Sequence, residues 1–496
     1  MINFLDSEHA KSIKLLNFIN SSFRPVSIEE IGAHIGSVNR TVSALVAIIQ
    51  NDTKEYNFEL KQTVDNKYFL KSKNLNQVVN LDHYLLHQGK KSIVFLMVEE
   101  LFKKGHINTV QFCRDQFISQ TTFSRCKKKL VQILRECGLM LTNYVKDGVV
   151  GSEYRLRIFY FHFFEEYYGA LEWPFEELIQ KQIADYFKNY VGLLDLEINE
   201  SQQRKIYYML YIFRKRTTQK QQAEATSINL KNINNYGGYY EFVERYFLSL
   251  GVTDEKIIQH ETQFFICFLY TQNIIQIKTD YLGNLMTFLR DNNNHAQLNM
   301  VWIETFKECF EIELTSEQEL GWYQDLNKIH IGLELFYCDT KIFAKHEVGI
   351  NDEISYQSLR NKTSQLVNRL LTKATYLRYR KKFLSDLGDE SIVEAYFAYV
   401  YQFFLLFQQD LTVKIMISDT LDPMSQVIIH KKLKLLFGEQ IEIKNKVDSK
   451  IDMLITNTNR KQFQAKELFM YSYKDLRNVE KIIQIIREKI HMNMLF

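Results

Sequence analysis

The stretch INTVQFCRDQFISQTTFSRCKKKL, from Ile107 to Leu130, carries two kinds of side chain that a wholly buried helix would not combine. Phe123 and Leu130 fall on one helical side, while Ser119, Gln120, Thr121, Thr122, Arg125, Lys127 and Lys128 occupy much of the rest. Hydroxyl and amide groups can pair with base edges, and guanidinium and ammonium groups can neutralise phosphates. The chemistry such a row offers is recognition of a nucleic-acid duplex, not the making or breaking of bonds.

A short helix, a turn and a second helix are needed to position that row, with one face packed and the other free to enter a major groove. The same design occurs once before. SIEEIGAHIGSVNRTVSALVAIIQ, starting at Ser27, aligns with it at a constant offset of 81, setting Ile31 on Phe112, Thr41 on Thr122, Val42 on Phe123 and Ile49 on Leu130. In this first copy the groove-facing candidates are Asn39, Arg40 and Ser43, with Arg40 the best suited to a guanine or a phosphate. Gly36 gives a permissive turn, whereas Phe117 and Gln116 stand where the first copy has Gly36 and Ile35, so the second turn must be built differently. Alternating stretches follow each copy: FELKQTVDNKYFLKS around Asp65-Asn66, and LMLTNYVKDGVVGSEYRLR around Asp147-Gly148. A lone lysine-rich helix face is ordinarily just solvated. A face that twice follows a turn and precedes a strand pair indicates two winged helix-turn-helix domains, residues 1–75 and 80–158.

Bulk composition sets limits on the rest. A chain of 496 residues that is 46% hydrophobic exceeds a single core, and four or five modules are expected. The net charge of +3 means that any nucleic-acid surface is local. Apolar runs such as YVYQFFLLF, Tyr399 to Phe407, fall well short of the ~20 residues that cross a bilayer, and the early acids of the N-terminus do not suit a secretory signal. No membrane contact and a cytoplasmic location are therefore expected. The six cysteines form no CxxC pair, as in a reducing compartment, and give no structural zinc site. His83 and His87 lie four apart, yet no HExxH and no third ligand accompany them, so no metal is expected. GxSxG, P-loop and kinase signatures are absent, and the adjacent Glu165 and Glu166 diverge on a helix. An enzyme is not expected, nor is a cofactor.

From Phe159 to Asp410 the apolar residues recur three and four apart, as in RKIYYMLYIFRKR and LNKIHIGLELFY, and RDNNNHAQ (Arg290 to Gln297) reads as a linker between two helical halves. After Asp410 strands and helices alternate: LTVKIMIS, DPMSQVIIHKKLKLLFG, IEIKN, IDMLITN and YKDLRNVEKIIQIIREKI. That order suggests a small parallel sheet.

Two winged helices, two helical bundles and a small α/β domain together resemble the Mga/AtxA family of regulators from Gram-positive bacteria. The resemblance implies a mainly α, multidomain protein with phosphotransferase-system regulation (PRD-like) domains at 159–290 and 291–410 and an EIIB-like α/β domain at 411–496. It also implies a transcriptional regulator, an activator of the Mga type, that binds double-stranded promoter DNA as a homodimer and works with RNA polymerase. A histidine in a PRD-like bundle would accept phosphate from a phosphotransferase-system phosphocarrier protein. His330 stands where such domains tend to place one, and His260 is the candidate in the first bundle; His295 and His346 suit the role less. A histidine at the edge of a helical core is the alternative for each. The family's early histidine is not visible in KIYYMLYIFRKR, and the loop SDTLDPMS lacks the cysteine that phosphorylated domains of the EIIB type carry. Two rivals remain, a phosphotransferase-system phosphocarrier component and a PRD-containing RNA-binding antiterminator.

Overall fold

The computed structural model describes residues 2–22, 24–53, 56–74, 79–142, 148–169, 171–226, 228, 230, 235–275, 293–337, 354–385, 387–406, 413–417, 423–444, 451–456, 466–469, 482–487 and 489–490. It divides into two compact units, one comprising residues 1–349 and 370–387, the other residues 350–369 and 388–496.

Among its described residues the first unit is helical apart from two small antiparallel sheets. Its opening segment runs through α1 (Ser7–Ser21), α2 (Ile28–Ile35) and α3 (Asn39–Asp52), then β1 (Phe58–Gln62) and β2 (Tyr68–Ser72). Ser27 and Glu30 form a reciprocal capping box that starts α2, and Gly36 in the left-handed region ends it. The strands pair with Leu60 opposite Leu70, and Val26 joins Tyr68 as a third edge through two backbone hydrogen bonds. The turn expected at Asp65-Asn66 is present, with Asn66 taking φ 58°.

The second copy follows α4 (Asp82–Lys91) and α5 (Ile93–Lys104) and consists of α6 (Thr109–Asp115), α7 (Gln120–Glu136), β3 (Met140–Leu141) and β4 (Val149–Val150). Its strands pair Leu141 with Val149, and the Asp147-Gly148 turn lies mostly outside the described residues. The 81-residue offset has a physical basis: Ile31 and Phe112, Val42 and Phe123, Ile49 and Leu130, and Phe58 and Leu139 are all buried. The aligned positions are the ones that fill the two small cores.

Next comes α8 (Glu153–Tyr168), apolar around most of its circumference and buried accordingly, followed by α9 (Glu177–Tyr190), α10 (Glu200–Thr218), α11 (Tyr236–Ser249) and α12 (Glu255–Thr271). The 158/159 boundary expected from the sequence falls inside α8. Helices α13 (Asn293–Phe310), α14 (Ser316–Leu335) and α16 (Ala374–Phe383) also pack in this unit, α13 touching both others. The linker expected at Arg290 to Gln297 needs correction from Asn293 onward, where α13 is already helical. The cause is the run Leu298, Trp302, Phe306 and Phe310, a buried i, i+4 ladder that outweighs the asparagines before it.

The second unit holds α15 (Ile354–Leu370, of which residues up to 369 belong here), α17 (Asp389–Leu406) and an α/β segment. Arg360 of α15 binds Glu394 of α17 at 2.8 Å. The α/β segment comprises β5 (Val413–Ile417), α18 (Pro423–Phe437), β6 (Ile441–Lys444), β7 (Met453–Thr456) and β8 (Lys466–Phe469), and residues 482–487 are helical. Among the described residues the pairings are parallel in the order β6-β5-β7-β8. The sheet is small and parallel as the alternation predicts, with β8 as a further strand that the pattern did not reveal. The loop SDTLDPMS lies mostly outside the described residues.

Candidate nucleic-acid interface

Helix α7 is built to show one face and hide the other. Phe123, Cys126, Leu130, Ile133 and Leu134 are buried where it packs on α5 and α6, and the Phe112 and Phe123 rings meet edge to face at 5.7 Å. On the opposite side Ser119, Gln120, Thr121, Arg125 and Lys128 are exposed, with Thr122 and Lys127 half-buried. Ser119 is the N-cap: its Oγ accepts from the Thr122 amide at 3.1 Å and lies 3.0 Å from Thr122 Oγ1. Ser119 and Thr122 are thereby committed partly to holding the helix start, leaving Gln120 and Thr121 as the exposed polar side chains of the first turn. Arg114 on α6 is exposed as well and adds a cation that sequence reading did not single out.

Lys129 breaks the row of cations. Its Nζ donates to the Leu5 carbonyl at 2.6 Å, and burial lowers its pKa. It ties α7 to the N-terminal segment, where Phe4 packs against Phe163 and Tyr167 of α8.

The first copy has the same shape with different chemistry. Asn39, Arg40 and Ser43 are all exposed on α3, and so are Ala44, Ala47 and Ile48 further along. Asn39 Nδ2 lies 3.5 Å from Glu29 Oε1, and Ser43 Oγ donates to the Asn39 carbonyl at 3.0 Å. Val38 occupies the N-cap with no side-chain hydrogen bond. Arg24 and the Ser27 amide hold the Glu30 carboxyl down at about 2, so it is ionised at neutral pH. From Ser27 to Asp52 the sole Lys or Arg, Arg40, is set against Glu29, Glu30 and Asp52; from Asn108 to Glu136 six cations are set against Asp115 and Glu136.

The second copy leads directly into a buried ionic cluster. Arg157 of α8, fully buried, donates through Nη2 to Glu261 Oε1 at 2.9 Å, through Nη1 to Glu261 Oε2, and through Nε to Glu153 Oε1 at 2.9 Å. Arg216 of α10 adds two bonds to Glu153, at 2.7 and 2.8 Å. The Arg157 guanidinium also lies over the Phe213 and Phe264 rings. This cluster fastens the helix that follows the second wing to α10 and α12. By sequence alone Glu153 and Arg157 read as the end of a wing; the signal that marks them otherwise is a pair of arginines in an aromatic run.

The candidate phosphoryl acceptors lie elsewhere in the first unit. His330 on α14 is fully buried: its Nδ1 is 2.6 Å from Asn299 Oδ1, and Tyr379 donates to its carbonyl at 2.7 Å. Burial, and then the neighbouring His295, hold its pKa well below the usual histidine range, so the ring is neutral. Neutrality suits a nucleophile, but a side chain with no solvent exposure offers a phosphocarrier no approach in this conformation. Of the two readings of His330, phosphoryl acceptor and histidine of a helical core, its burial favours the second. His295 is also buried, with Nε2 3.0 Å from Glu334 Oε2. His260, on α12, is half-buried, and His346 lies outside the described residues. His83 is exposed and His87 hydrogen-bonds Tyr56, and no group of three His, Cys, Asp or Glu suited to a metal ion occurs among the described residues. No described helix is long and apolar enough to cross a membrane.

A family match falls on the same region. The Mga helix-turn-helix domain matches residues 74–164, which take in α4, α5, the second copy and most of α8. The capsule synthesis positive regulator AcpB of Bacillus anthracis is 22% identical over 328 residues, 64% of this chain and 65% of that protein. A protein of Streptococcus pneumoniae serotype 4 named as a trans-acting regulator is 22% identical over 124 residues, 25% of each chain. The chain thus spans just under two thirds of the first relative and a quarter of the second. A helix-turn-helix domain of the Mga type and relatives named as regulators both support the resemblance to the Mga/AtxA family of regulators.

Proposed function

We propose that this protein is a transcriptional activator that binds promoter duplexes through two winged helix-turn-helix domains, the second supplying most of the electrostatic attraction. The observation that carries the reading is α7: a helix buried on its apolar side and exposed at Gln120, Thr121, Arg125 and Lys128, next to an exposed Arg114. Phosphate contacts from the cations give affinity, and the amide and hydroxyl groups of the first turn add base selectivity. In the first domain Arg40 contributes one contact, and α3 otherwise offers mainly small or apolar surface.

The remaining parts serve this act. Residues 411–496 form an EIIB-like domain that joins two chains and brings four winged helices to one site. The two PRD-like regions, 159–290 and 291–410, convey carbohydrate status, with His260 the candidate that a phosphocarrier protein can approach. Reaching His330 would require α13, α14 and α16 to part. RNA polymerase is the partner on which an activator of this kind acts, and the cytoplasm is where it works.

Fluorescence anisotropy on duplex DNA and single-stranded RNA, each at low and physiological salt, tests the reading. Salt-sensitive binding to duplex with little binding to RNA is expected. Equal preference for RNA would favour the antiterminator reading, and no binding to either would end the regulator account.

A further inference from the structure

Phe117 stands in the turn between α6 and α7, at the position where the first domain has Gly36. Both residues adopt the left-handed backbone region, φ 53° and 62°, and both turns close in a similar way. The Ile118 amide donates to the Cys113 carbonyl at 2.9 Å and the Phe117 amide to Arg114 at 3.2 Å; Ser37 donates to Gly32 at 2.9 Å. Glycine is the ordinary occupant of this helix-ending position, because any Cβ there crowds the backbone. A benzyl side chain is an unfavourable choice, and here it gains nothing by packing: Phe117 is 97% exposed. It sits three residues after Arg114 and immediately before Ile118 and the α7 cap, at the end of the helix that would enter the groove first.

We infer that Phe117 is a specificity-determining residue that contacts the 5-methyl group of thymine at the edge of the major groove. The inference rests on the duplex-binding reading of the second domain and adds to it a named base feature. Charge complementarity identifies the occupant. A large apolar side chain three residues from exposed Arg114, at the start of the helix that carries exposed Arg125 and Lys128, faces a polyanion, and the thymine methyl is the apolar group that the major groove of such a polyanion presents. Burying the ring on that methyl would offset in the complex what the left-handed backbone costs in the free protein.

The test uses the full chain, a duplex selected for tight binding from a randomised pool, and the same duplex with deoxyuridine in place of thymidine. The wild-type chain should lose about fourfold in affinity for each contacted methyl removed. F117G should bind the thymidine duplex about as weakly as the wild type binds the deoxyuridine one, and should be indifferent to the replacement. Its melting temperature should be unchanged or raised, since glycine relieves the turn. F117L, still apolar, should keep part of the dependence on the methyl. The inference is overturned if F117G retains full affinity, or if deoxyuridine weakens F117G as much as wild type. F117G with normal duplex affinity but no transcriptional activation would also overturn it, assigning Phe117 to a protein contact. A wild-type chain that selects no duplex at all overturns both the inference and the reading beneath it.

Discussion

The two helix-turn-helix copies share a core and differ at the surface. Ile31, Val42, Ile49 and Phe58 fill in the first the places that Phe112, Phe123, Leu130 and Leu139 fill in the second, and all eight are buried. Outside that core, α7 has a capped start and exposed cations, while α3 starts at Val38 without a side-chain cap and carries one arginine beside an acidic α2. Packing constrains the apolar positions of a small domain, because each fills a defined volume. Surface charge has no such constraint and can diverge without unfolding the module. The lesson is that one fold, used twice in a chain, need not perform one task twice.

The sharpest way to break the comparison is to detach the second copy from its support. Arg157→Ala leaves Glu261 and Glu153 buried with reduced compensation and should lower stability by about 3–5 kcal/mol. Chemical denaturation of the full chain would measure it, and a loss below about 1 kcal/mol would mean that the buried cluster does not anchor α8.

Electrostatics comes next. Replacing Arg125, Lys127 and Lys128 together by Ala should weaken duplex binding on the order of 100-fold at physiological salt and reduce the slope of log affinity against log salt by about 3. Arg40→Ala should reduce that slope by about 1 at most. Equal effects from the two copies would show that local charge does not decide which one dominates.

Helix starts give a smaller and reciprocal contrast. Ser119→Ala should cost about 1 kcal/mol, and Val38→Ser, which supplies the cap that α3 lacks, should gain several tenths of that. Thermal melting of both variants would check the signs; a destabilising Val38→Ser would mean that exposed Val38 has a packing role.

The smallest expected effect concerns pH and tests the helical region against both copies. His330 has its pKa lowered by burial, so between that value and the unfolded value near 6.5 the unfolded chain binds the extra proton. Its contribution to stability is therefore present above about pH 6.5 and is lost as pH falls below it. The melting temperature should drop between pH 7 and pH 5, and less steeply in His330→Gln. An identical slope in the variant would mean that His330 does not titrate on unfolding.

Much of this was legible along the chain because local periodicity reports burial. The offset of 81, the Asp65-Asn66 turn and the alternation behind the parallel sheet follow from apolar spacing and turn chemistry. Polar residues were read less well. Lys129 belongs by sequence to the row of Lys127 and Lys128, yet it binds the carbonyl of Leu5, 124 residues away. Arg157 and Glu261 are 104 residues apart, and nothing in either neighbourhood announces the other.

By itself the sequence determined where the two small cores form and which helix of each bears hydroxyl, amide and cationic groups. Those facts depend on neighbours three or four positions away. Only the tertiary structure decided which cations stay outside, that His330 lies inside, and that the helix following the second copy is held by a buried ionic cluster. The physical reason is that an apolar side chain is driven from water whatever its partner, whereas the state of a charge or an imidazole depends on the particular groups that folding brings beside it.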